Sequence, residues 1–205
     1  MGKNSPVILV SFGEPRTQGE VSSFLREILT DQELVRTPLP GWLHQTIFSL
    51  ISIFRAPKLR KMYKKIEGES SFFADTEGLA EALSRLLSAP VIPFYRYLPR
   101  THEAFLKKIQ HDLRGEKIVV FPLFPQRSCV TTGSSQKWLE SRLPKKFFEK
   151  LDWIQSSAGH PAFIRAWKKQ IQEFLESNAL KEEETILLFS AHGVPKKIIE
   201  QGDPY

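Results

Sequence analysis

His192 lies in the run Leu188-Phe189-Ser190-Ala191-His192-Gly193-Val194-Pro195, just past a short apolar stretch, and is the side chain best suited to chemistry. An imidazole titrates near neutrality, so it can accept protons, and when neutral it binds first-row divalent metals. The alternative for a histidine there is a capping or buried ring hydrogen-bonded to backbone. Arg96 and Tyr97 follow another apolar run, Val91–Tyr95; a guanidinium can hold a carboxylate and a phenol ring can pack on a flat ligand. A structural salt bridge is the other reading of Arg96. Thr131, Thr132, Ser134 and Ser135 precede a helical stretch, where hydroxyls commonly cap the helix, with an anion site as the alternative. His102, His111 and His160 read as surface or capping residues, His44 as packing or surface, and Cys129 as a small buried hydrophobe rather than a ligand.

The elements that must position these groups alternate. Strand-like runs fall at Pro6–Phe12, Val91–Tyr95, Lys117–Leu123, Asp152–Ser156 and Thr185–Ser190. Helical periodicity marks Gly19–Asp31, Thr76–Leu87 (with Leu79, Ala80, Leu83 and Leu86 on its face), Thr101–Leu113, Ser134–Leu143 and Pro161–Glu176. Trp42–Phe54 and Lys58–Ile66 read as two helices separated at Pro57. Strands joined through helices imply right-handed crossovers and a parallel sheet. Mostly apolar strands fit helices on both faces. Such sheets bind ligands beyond the carboxyl ends of their strands. The polar strand ends here, Ser11–Pro15, Tyr95–Tyr97, Pro125–Ser135 and Ser190–Pro195, therefore describe one cleft.

The chain has 205 residues, is 41% hydrophobic and carries a net charge of +6. That length can bury a real core. The charge suits an anionic partner, yet no helix-turn-helix, finger or RNA-binding pattern accompanies it, so nucleic acid is not the expected partner. The first apolar run breaks at Gly13 and reads as a strand, not a secretion signal. The single cysteine excludes an internal disulfide framework and fits a reducing compartment, so a cytoplasmic protein is expected. Trp42–Phe54 is apolar around most of its circumference. Core packing is its leading reading, with a pocket lip or peripheral membrane contact as alternatives.

Leu188–Pro195, followed after a short helix by Gly202-Asp203-Pro204-Tyr205, resembles the signature of the ferrochelatases. Further landmarks follow the family's order: the turn Gly13–Pro15, Asp31-Gln32-Glu33-Leu34, the basic helix Arg55–Lys65, Phe94–Tyr97, and Pro122–Gln126 before Thr-Thr-Gly-Ser-Ser. Two departures stand out: Glu67-Gly68-Glu69-Ser70-Ser71 replaces a glycine-rich turn, and Arg127 stands where an aromatic residue is usual. The resemblance implies a chelatase-like α/β fold with Rossmann-type parallel sheets and flanking helices. It implies an N-terminal domain over 1–178 and the start of a second, incomplete one over 179–205. It implies insertion of ferrous iron into protoporphyrin or coproporphyrin, with Fe2+ as substrate and no cofactor required. His192 would be the catalytic base or metal ligand, and Arg55, Ser70, Arg96 and Tyr97 would meet the porphyrin. Family members run on past Gly-Asp-Pro-Tyr with a further catalytic His/Glu pair. The chain is accordingly expected to be truncated and inactive alone. A porphyrin- or metal-binding fragment, or a cobalt or nickel tetrapyrrole chelatase, is the alternative.

Overall fold

The computed structural model describes residues 5–65, 71–113 and 117–205. Four parallel strands, β1 (Val7–Ser11), β2 (Val91–Tyr95), β3 (Ile118–Pro122) and β4 (Leu151–Trp153), form one sheet in the order β2-β1-β3-β4. The helices are α1 (Val21–Thr30), α2 (Gly41–Tyr63), α3 (Phe72–Leu87), α4 (Pro99–Asp112), α5 (Ser134–Arg142), α6 (Lys145–Phe148), α7 (Pro161–Ser177) and α8 (Lys196–Glu200). This is the parallel α/β architecture that the alternation predicts. Successive strand residues face opposite sides. Ile8, Val10, Ile92, Phe94, Ile118 and Val120 meet Phe105 and Ile109 of α4 and Leu139 of α5. Val7, Leu9 and Val119 face α3 through Ala80, Leu83 and Leu87. Cover on this second face is thinner, and an apolar cavity of about 660 Å³ opens there between α3 and the start of α7.

Three sequence expectations are corrected. Pro57 lies inside the single helix α2 rather than between two helices. Its ring removes the hydrogen bond to the Ile53 carbonyl, but both residues are exposed, so water can satisfy that carbonyl. On α3 the inward face is Thr76, Ala80, Leu83 and Leu87, leaving Leu79 and Leu86 exposed. The run Thr185–Ser190 is not a strand: it has no regular structure, and Ile186, Leu188 and Phe189 face solvent. A parallel strand needs a neighbour to take its backbone groups, and this run pairs with none among the described residues.

The leading reading of Trp42–Phe54 also changes. α2 packs on α1 with the small side chains Ser52 and Ala56 buried, His44 is buried beside Thr37 and Phe48, and Trp42, Leu50, Ile53 and Phe54 point outward. Among the described residues no helix is long and apolar enough to cross a membrane.

Candidate active site

Gly13, at φ +82°, turns the chain just past β1; a Cβ there would sit 3.1 Å from the Tyr95 Cβ. That close approach is why glycine is needed, and it brings the first strand end against the second. The sheet pairing continues beyond both strands, with Arg96 N donating to Ser11 O and Tyr97 N to Phe12 O. Arg96 and Tyr97 are thereby held at the carboxyl edge, both buried.

A charge buried there must be paired. Arg96 Nη2 donates to Asp31 Oδ2 at 2.8 Å, its Nε donates to Ser134 Oγ at 2.9 Å, and its Nη1 lies 3.4 Å from Glu27 Oε2. Tyr97 OH donates to the same Asp31 oxygen at 2.8 Å, and Ser134 Oγ donates there too. Asp31 sits just past the C-terminal end of α1, so its carboxylate ties α1, the second strand end and α5 together. Burial first, and then the Asp31 charge, push the Tyr97 phenol well above its ordinary range, so it remains a neutral donor.

Ser134 reaches this network because the helix begins one turn earlier as a π-turn, Cys129–Gly133, in which Gly133 N donates to Ser128 O. Such wide turns recur at functional sites. The cap is Ser128, whose Oγ accepts from Val130 N, rather than the four hydroxyls that follow. Thr132 and Ser135 are buried as well, and Thr132 Oγ1 has no hydrogen-bond partner among the described residues.

The same helix head receives the end of the chain. Asp203 Oδ2 accepts from Cys129 N at 2.7 Å and from Ser128 Oγ at 2.9 Å. Burial alone would raise the Asp203 pKa, but these hydrogen bonds outweigh it and the net shift is downward. Asp203 Oδ1 accepts from Tyr205 N, and Tyr205 OH donates to the His192 carbonyl at 2.7 Å. His192 itself is exposed. One helix head thus touches two groups, Asp31-Arg96-Tyr97 through Ser134 and His192 through Ser128, Asp203 and Tyr205.

Of the remaining sequence candidates, Arg55 is exposed on α2 and Ser70 lies outside the described residues. Among the described residues no three His, Cys, Asp or Glu side chains converge as a metal cage. His160 caps α7 through Ala162 N, as expected, and His111 is exposed. His44 is buried, with Nδ1 2.9 Å from Thr37 Oγ1. His102 is no surface group: it packs among Phe94 and Trp138 with Nε2 3.0 Å from the Tyr95 carbonyl. A carbonyl only accepts, so that nitrogen carries the proton. Burial pushes the His102 pKa down to about 4. Cys129 is half-buried. Sequence reasoning gave no role to Asp31, Asp203 or Tyr205, and took Ser134 for a cap. The available signal was charge bookkeeping, since an arginine at a buried strand end requires a carboxylate partner.

A four-stranded parallel sheet with polar loops gathered at its carboxyl edge defines an α/β protein of the kind that handles a small ligand outside its strand ends. The family model described as Ferrochelatase matches residues 4–205. The chain is 39% identical over 201 residues to a ferrochelatase of Chlamydia abortus, covering 98% of this chain and 62% of the relative. It is 40% identical over 198 residues to one of Chlamydia trachomatis serovar D, covering 97% and 62%. The chain belongs to the ferrochelatase family, and it spans about 62% of the length of these relatives.

Proposed function

We propose that this chain carries the porphyrin-binding face and the reactive histidine of a ferrochelatase, which inserts ferrous iron into protoporphyrin or coproporphyrin for haem synthesis. The reaction exchanges two pyrrole N–H protons for one divalent metal ion and needs no cofactor. His192 supplies the group such chemistry requires: neutral, it takes a proton or meets the incoming ion. Arg55, exposed on α2, and Ser70 hold the porphyrin's carboxylates. Arg96 and Tyr97, fixed by Asp31 and Ser134, form the wall against which the macrocycle lies. The exposed apolar side chains of residues 42–54 give peripheral contact with a membrane. The protein works in the cytoplasm.

The observation that carries this reading is the family match, which runs through His192 and Tyr205. The second reading, a chain that binds porphyrin without metallating it, draws on the absence of a converging metal cage among the described residues.

The test has two arms. Porphyrin binding by the 205-residue chain is followed by fluorescence. Zinc insertion is followed in the same chain extended by the last third of the Chlamydia trachomatis relative. Replacing His192 by Ala should slow insertion by ~10²–10⁴-fold, the usual worth of a general base, and leave porphyrin affinity within a few fold. A variant within about threefold of wild type would remove His192 from the mechanism, being far below the ~10²-fold floor for such a base. Tight porphyrin binding with no insertion by the extended chain would favour the second reading.

A further inference from the structure

We infer that Asp203 and Tyr205 are positioning residues, a clamp that hangs the His192 backbone from the head of the helix formed by Cys129–Gly133 and α5. The inference rests on the proposal that His192 reacts.

Among the described residues no backbone pairing holds the flanks of His192, although Leu187 and Phe189 line a cavity with Ile164, Trp167 and Leu175 of α7. Residues 186–194 have no regular structure, and among the described residues no backbone hydrogen bond joins them to another element. What holds the His192 carbonyl is the Tyr205 phenol, from 13 residues further along the chain. Tyr205 is itself fixed at its other end, because its amide donates to Asp203 Oδ1 at 3.0 Å.

Asp203 is the anchor, and its two oxygens face different ways. Oδ1 serves Tyr205, while Oδ2 takes a side-chain and a backbone donor at the helix head, where unpaired N–H groups and the helix dipole favour a carboxylate. The turn that delivers it is fastened on both sides. Ile198 of α8 is buried, and Arg36 Nη1 donates to Gln201 Oε1 at 3.0 Å. Gly202 adopts φ +92°, a conformation that other residues rarely reach, and Pro204 fixes the backbone between Asp203 and Tyr205. Gly-Asp-Pro-Tyr therefore reads as a device: a left-handed turn, an anchor, a stiff spacer and a phenolic hook. The same helix carries Ser134, so the clamp references His192 to the element that also braces Arg96 and Tyr97. Proton transfer is sensitive to displacements of about 1 Å, and a free loop would exceed that.

Two variants test it with little change of shape. Tyr205→Phe deletes only the phenolic donor, and Asp203→Asn places an NH2 against at least one donor now facing a carboxylate oxygen. In the 205-residue chain, the NMR order parameter of the His192 amide should fall from a rigid value near ~0.85 to below ~0.6 in both, while the Val10 and Val120 amides stay rigid. In zinc insertion by the extended chain, kcat should drop on the order of 10²-fold, with porphyrin KM within threefold. Adding either change to His192→Ala should cost nothing further. Unchanged order at His192 in both variants would overturn the clamp. So would lost order with an unchanged kcat while His192→Ala is slow. If His192→Ala is as fast as wild type, the reading of His192 fails instead, and the order parameters alone decide whether the clamp exists.

Discussion

Arg96 lies just past the end of β2 and His192 in a segment without regular structure, and the two are secured in opposite ways. Arg96 is 7% exposed and meets Asp31, Glu27 and Ser134 at once, with Tyr97 closing the set. His192 is exposed, and among the described residues its backbone is held through one hydrogen bond, from a phenol that is itself 45% exposed. The contrast follows from desolvation. A charge withdrawn from water must find every partner within the fold, so burial specifies the Arg96 network tightly. A solvated imidazole carries no such requirement, and its position is set by whatever tethers its backbone. The buried set is therefore specified by the fold itself, and the exposed group by its tether.

The sharpest way to break this contrast is to remove one partner of the buried pair. Arg96→Met should leave the Asp31 carboxylate uncompensated and cost about 3–5 kcal/mol of stability, read as a lower urea midpoint. The double variant Arg96→Met with Asp31→Leu should recover much of that loss, because the charge that remains, Glu27, is one-third exposed and can be solvated. Equal destabilisation by the single and the double variant would mean that the pairing is not what the buried position demands.

An intermediate effect separates His102 from the exposed histidine. Its folded pKa of about 4 lies below its ordinary 6.5, so the unfolded chain binds the proton more tightly. Its contribution is fully present above about pH 6.5, declines as pH falls, and has gone by about pH 4, amounting to about 3 kcal/mol. Urea midpoints measured across that window should slope downward in wild type and flatten in His102→Asn. An unchanged slope in His102→Asn would assign the acid sensitivity to other groups.

The same division governs what the sequence could reveal. The four strands of the sheet and the parallel order came from apolar runs separated by helical periodicity, because those patterns report burial directly. Thr185–Ser190 has the same composition and misled, since composition reports a preference for pairing and not the presence of a neighbour to pair with. Trp42–Phe54 failed for a related reason: apolar content marks surface that some contact would cover, whereas α1 is met by Ser52 and Ala56. His192 stood out because its flanking motif is distinctive. Asp31 and Ser134 were not, because the network joins residues 65 and 38 positions from Arg96, distances over which no periodicity runs.

The smallest expected effect is the cleanest check of the comparison. Leu188 and Ile186 are 92% and 93% exposed, so changing them to Ser removes almost no buried apolar surface in the described fold. Leu188→Ser and Ile186→Ser should each shift stability by less than about 0.5 kcal/mol, as for exposed positions generally. Ile8→Ala, on β1 at 0% exposure, should cost about 2–5 kcal/mol. Urea unfolding of the three variants, with sedimentation to record association, supplies the readout. A loss above about 1 kcal/mol at Leu188 would be too large for an exposed position and would place that side chain in a contact. Residues 185–189 would then be packed rather than hung from the Tyr205 clamp, and the division between a self-specified buried network and a tethered exposed histidine would have to be redrawn around that contact.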